Sequence, residues 1–178
     1  FWYENGQKEG KGNYKDNKEN GKFTFWYENG LIEQESNYKE GNRDGKFTFW
    51  YENGLIKGEE NFKNGKEDGK FVYWDKNGQI WAEDNYKEGK ENGKFTIWYE
   101  DGSKVESNWK DGKKDGKETF WYENGLIEQE SNYKEGKEDG KWTYWRENST
   151  KHLEENYKDG KKDGKNTWWY ENGQNEVE

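Results

Sequence analysis

Residues 25–48 read FWYENGLIEQESNYKEGNRDGKFT, and this stretch decides the fold. The run from Lys22 to Glu28 is dense in aromatic and β-branched residues and is bounded by Gly and Asn, the composition of a strand. Asn29-Gly30 follows at once. This dipeptide is the strongest short hairpin signal, because a type I′ turn needs positive φ at both central residues. A second strand is expected from Leu31 to about Lys39, and then a longer loop, Glu40 to Gly45, with glycines four apart. Helix is excluded, since Gly recurs too often and no 3.6-residue period is present.

The same unit recurs along the chain, and such self-similarity outranks any local assignment. Its tryptophan returns at Trp2, Trp26, Trp50, Trp74, Trp98, Trp121, Trp145 and Trp169. Every step is 24 residues except the 23 between Trp98 and Trp121. The chain therefore reads as one repeat domain over residues 1–178, with seven units and a partial eighth that ends at Glu178. Two further columns do not vary among the units. One is an Asn followed by an aromatic and Lys, as in Asn37-Tyr38-Lys39, and the other is Gly-Lys, as in Gly45-Lys46. The predicted architecture is all-β: an elongated, single-layer antiparallel meander of repeated β-hairpins.

A two-residue turn fixes register, so faces can be assigned. Tyr27 is predicted opposite Ile32, Phe25 opposite Gln34, Phe23 opposite Ser36 and Gly21 opposite Tyr38. On this face Ile32, Ile56, Ile80 and Ile127 form a column, and Val105 and Leu153, two places further on, share it. The other face carries Trp26 opposite Glu33, Thr24 opposite Glu35 and Lys22 opposite Asn37. There Trp81 is expected opposite Trp74, and His152 opposite Trp145.

Composition narrows the function. Charged residues make up 39% of the 178, and the net charge is −9. Leu, Ile, Val and Phe together give 21 residues, too few for an ordinary core, yet Trp, Tyr and Phe add up to 34. No apolar run approaches the roughly 20 residues of a membrane span. The acidic balance argues against a nucleic-acid binder, which needs a basic face. The chain lacks Cys and Met and starts at Phe1 without a leader, so it reads as processed or cut from something longer.

The pattern Tyr-Lys-x-Gly-Lys-x-x-Gly-Lys-x-x-x-Trp-Tyr-x-Asn-Gly, as in Tyr157 to Gly173, resembles the MORN repeat family and is most similar to its antitoxin-like bacterial variant. The resemblance covers essentially the whole chain. Ser149 replaces the turn glycine in the seventh unit, and Asn17 a loop glycine in the first. What it implies is an open sheet of hairpins serving as a scaffold or binding surface, with no common catalytic residues to carry over.

Chemistry-bearing residues are scarce. His152 is the one histidine and there is no cysteine, so a Cys-His or two-His zinc site cannot be built within this chain. Carboxylates beside loop glycines, as in Glu67-Asp68-Gly69 and Glu138-Asp139-Gly140, suit calcium in type. They are interleaved with lysines such as Lys66 and Lys70, however, which neutralise them. No enzyme activity and no cofactor is expected. The tryptophan column is the candidate binding feature: an aromatic track about 9.5 Å in step, given strands ~4.8 Å apart. Glu35, Glu59, Glu83, Glu106, Glu130 and Glu154 form a column beside it. Lys22, Lys46, Lys70, Lys94, Lys117, Lys141 and Lys165 form another, and pairing between the two is expected. The primary expectation is a non-enzymatic scaffold that binds another protein. The alternatives are a glycan stacked on the Trp ladder, or head-to-tail self-association through Phe1-Trp2-Tyr3 and Trp168-Trp169-Tyr170.

Overall fold

The computed structural model describes residues 1–177. It divides into two compact halves, Phe1–Lys90 and Glu91–Glu178. In the first, β1 (Gly21–Trp26), β2 (Ile32–Lys39), β3 (Gly45–Trp50), β4 (Ile56–Lys63), β5 (Gly69–Trp74) and β6 (Ile80–Lys87) pair antiparallel in sequence order. In the second, the same order holds for β7 (Gly93–Trp98), β8 (Lys104–Lys110), β9 (Gly116–Trp121), β10 (Ile127–Lys134), β11 (Gly140–Trp145), β12 (Lys151–Lys158), β13 (Thr167–Trp169) and β14 (Asn175–Val177). The protein is all-β, an open antiparallel sheet of repeated hairpins, with no helix among the described residues.

The two loops exchange the turn types that the sequence suggests. At Glu28-Asn29-Gly30 only Gly30 has positive φ, at 83°. Its N–H donates to the Tyr27 carbonyl, and the Tyr27 N–H donates to the Leu31 carbonyl. This is a three-residue loop, a type I turn closed by a left-handed glycine. The type I′ turn lies instead at Glu40-Gly41, with φ of 52° and 84°, flanked by the pair Lys39 and Asn42.

The longer turn displaces the register by one residue, and a β-bulge puts it back. Trp26 pairs with Ile32, not Glu33, and Phe25 then pairs with Gln34 as expected. The bulge recurs after Trp50, Trp74, Trp121 and Trp145. It is missing in the 23-residue repeat, where Trp98 faces Lys104 and Ile97 faces Val105 without a shift. The one short step in the repeat is therefore the loss of the bulge residue. A chain with Glu33 deleted is expected to fold with its melting temperature nearly unchanged, because β7 and β8 already close without that residue. Deleting Ser36 instead moves a glutamate into the fully buried slot across from Phe23, and the melting curve is expected to drop by several degrees.

The bulge also corrects the faces. Ile32, Ile56, Ile80 and Ile127 pair with tryptophans and belong to the Trp row. Val105 and Leu153 face Ile97 and Tyr144 and are buried on the opposite face. Trp81, the second bulge residue, turns toward Tyr73, with ring centroids 5.5 Å apart. His152 meets the edge of Trp168 at 5.7 Å rather than resting on Trp145.

The core is a zipper of rings on that opposite face. Tyr14, Phe23, Tyr38, Phe47, Phe62, Phe71 and Tyr86 touch in succession, centroids 4.7–5.6 Å apart. Phe23 and Phe47 are fully buried, and the Arg43 guanidinium lies over Phe47 and Phe62. Small residues across the sheet make room. A Cβ on Gly12 would stand 2.0 Å from the Phe23 ring.

Repeats are stapled at fixed spacing. The Tyr27, Tyr51 and Tyr122 hydroxyls donate to the carbonyls of Trp50, Trp74 and Trp145, 23 residues on. Arg146 replaces the tyrosine in the seventh repeat and donates to the Trp169 carbonyl. The unvarying asparagines have the same kind of role. The side-chain amides of Asn37, Asn61, Asn108, Asn132 and Asn156 donate to the Lys46, Lys70, Lys117, Lys141 and Lys165 carbonyls. Each satisfies a backbone acceptor where the short hairpin leaves the ladder.

Candidate functional site

Alternation along each strand gives the outer face three rows that run across the strands. In the first half one row holds the cross-strand pairs Trp26–Ile32, Trp50–Ile56 and Trp74–Ile80. Beside it Thr24, Glu35, Thr48 and Glu59 alternate, and Lys22 and Asn37 begin the third row. The predicted pairing of the charged columns is present. Lys22 meets Glu35 at 2.6 Å, Lys70 meets Glu83 at 2.8 Å and Lys94 meets Glu106 at 2.7 Å. Lys46–Glu59, Lys117–Glu130 and Lys141–Glu154 repeat the pattern. With lysines about half exposed, these pairs contribute little stability.

The expected ladder of adjacent tryptophans is in fact an alternating row. Trp2 is exposed, whereas Trp26, Trp50, Trp74, Trp98, Trp121, Trp145 and Trp169 are half-buried, each with an aliphatic or lysine neighbour in the row. Ile56 and Ile80 are 36% and 39% exposed. Sequence reasoning missed these isoleucines, since a type I′ turn would have put them on the far side. Where lysine takes the isoleucine place, it covers a ring. Lys8 lies 5.6 Å from Trp2 and 5.5 Å from Trp26, Lys104 4.0 Å from Trp121, and Lys151 5.4 Å from Trp169. The isoleucine place is thus apolar at Ile32, Ile56, Ile80 and Ile127 and cationic at Lys8, Lys104 and Lys151.

In the second half a groove of about 370 Å³ runs beside the row, between Lys94, Thr119, Trp121, Ile127 and Glu130. Partial burial pushes the Glu106 carboxyl up, but hydrogen bonds from Lys94 and Lys104 outweigh it and hold Glu106 below its ordinary value. Glu154 is held down in the same way by Lys141 and Lys151. Both carboxylates therefore stay charged within the face.

Other candidates fall elsewhere. The loop carboxylates Asp44, Asp68, Asp115 and Asp139 accept backbone N–H groups of the next repeat's short hairpin. Among the described residues no group of three His, Cys, Asp or Glu is placed to hold a metal ion. His152 Nδ1 stands 3.0 Å from Arg146 Nη2, and a guanidinium can only donate, so this nitrogen is the acceptor.

Residues 1–16, 19–40, 43–64, 67–88 and 114–135 match the family model described as MORN repeat variant, more than half of the chain. No curated protein matches the chain.

Proposed function

Because the chain belongs to the MORN repeat variant family, a sheet-forming and typically non-catalytic repeat, we propose that it is a scaffold that holds another protein on its Trp–Ile row. The observation that carries this reading is the repeated apolar pair Trp26–Ile32, Trp50–Ile56 and Trp74–Ile80, rimmed by threonines and by Glu–Lys pairs. An apolar stripe with a polar rim is the usual anatomy of a protein-recognition surface. Half-buried tryptophans backed by rigid strands supply anchors of the kind that dominate binding energy.

Lysines 104 and 151 occupy the isoleucine column without disturbing the pairing, so Ile56→Lys with Ile80→Lys is a fold-neutral disruption. The immobilised wild-type chain is expected to retain one protein in stoichiometric amount from an extract, and the doubly substituted chain to lose it. Equal retention by both would place the contact elsewhere. Quenching of tryptophan fluorescence by soluble glycans, with no protein retained, would favour the carbohydrate reading instead.

A further inference from the structure

Between successive three-residue turns, each half of the chain has a groove. In the first half one such groove, about 450 Å³, lies between Tyr27, Tyr51, Glu52, Asn53, Lys57 and Lys76. Its walls are fixed. The two tyrosine hydroxyls are tied to the Trp50 and Trp74 carbonyls, and the Asn53 amide to the Lys76 carbonyl at 3.2 Å. Lys57 lies over the Tyr51 ring at 5.8 Å. Neither Lys57 nor Lys76 enters an ion pair among the described residues.

The second half contains the homologous groove, about 340 Å³, lined in the same columns by Tyr122, Glu123, Asn124, Glu128 and Glu147. Glu128 stands where Lys57 does, and Glu147 where Lys76 does. The column of Lys76 is glutamate in every other repeat, from Glu4 to Glu171, and the column of Lys57 holds no other lysine. The two reversals lie 19 residues apart in sequence and in different repeats, yet they converge on one groove. Neutralising Glu52 alone would need one lysine, and neither pairs with it.

We infer that this groove is a second docking site, separate from the Trp–Ile row, and that its occupant is an acidic side chain of a partner polypeptide. Two tyrosines line it with apolar ring surface, and the two lysines supply ammonium donors that enter no ion pair among the described residues. Exposed charges of this kind select a partner by sign more than they add raw affinity.

A random peptide library displayed on phage and selected on the full chain tests this. Enriched peptides are expected to carry Asp or Glu and to bind more weakly as salt rises. Their affinity is expected to fall at least about tenfold on the Lys57→Glu/Lys76→Glu chain. That chain carries the glutamates that Glu128 and Glu147 place in the same columns of the second half, so its fold is expected to hold, which circular dichroism checks. The Glu128→Lys/Glu147→Lys chain is expected to bind a second equivalent of the same peptides. No acidic enrichment, or equal affinity for the Lys57→Glu/Lys76→Glu chain, overturns the assignment. So does displacement by inorganic phosphate as readily as by peptide, which would make the groove a simple anion site.

Discussion

Replacing Phe47 with alanine is expected to lower the stability of the first half by about 3–5 kcal/mol, the range for emptying a buried phenylalanine site. The ring is 0% exposed. It contacts Tyr38 at 5.4 Å and Phe62 at 4.9 Å, with Arg43 over its face at 5.2 Å. The small aliphatic content leaves nothing nearby to collapse into the hole. Urea denaturation with a far-ultraviolet signal measures the change. Because repeats contact only their neighbours, hydrogen exchange is expected to quicken most in β2 to β4. A loss below about 1 kcal/mol would mean that the zipper is not what holds the sheet.

The second large effect has the opposite sign. Glu118 occupies the zipper column that holds Phe23, Phe47, Phe71 and Trp142 in other repeats, and it is 4% exposed. Lys114 pairs with it and also lies 5.0 Å over the Tyr133 ring. Burial, and next the Glu118 charge, hold the Tyr133 phenol above its ordinary value. Replacing a buried ion pair with apolar packing is often stabilising by about 1–4 kcal/mol, whereas removing one partner costs about 3–5 kcal/mol. Glu118→Phe frees a lysine whose side chain is already 31% exposed and can return to water, so it is expected to raise the midpoint of thermal unfolding, whereas Lys114→Ala strands a buried carboxylate and is expected to lower it. A fall with Glu118→Phe would show that the pair contributes more than the ring it displaces.

These two cases mark what the sequence reveals and what it hides. The 24-residue period and the aromatic columns made the hairpin repeat legible. The register from Phe25 outward was legible too, because Phe25 opposite Gln34 satisfies both the assumed turn and the real one. The turn type was not. Asn-Gly ends a three-residue loop as readily as it fills a two-residue one. The choice depends on Asn29, whose side-chain oxygen accepts the Leu31 N–H and whose amide reaches the Glu52 carbonyl of the next repeat. No local rule contains that second bond. The error is one residue, and the bulge cancels it within two positions, so the misplacement is confined to the isoleucine column and to Glu33, Trp81 and His152 in the column beside it. The expected Trp column survives as a row, but with isoleucines between its rings. The 23-residue repeat was the available clue: one unit dispensed with a residue that the others carried as an outward kink.

The staples have a consequence for how such a chain can change over generations. Tyr27, Tyr51 and Tyr122 each reach a carbonyl 23 positions ahead, and each arriving repeat offers the same acceptor. A gene that gains or loses one whole copy through slippage rejoins donors to acceptors without a new clash. Length can thus drift in steps of one module while most junctions keep the same donor and acceptor, and selection is left to act on the few columns where modules differ, Asp75 and Arg146 among them.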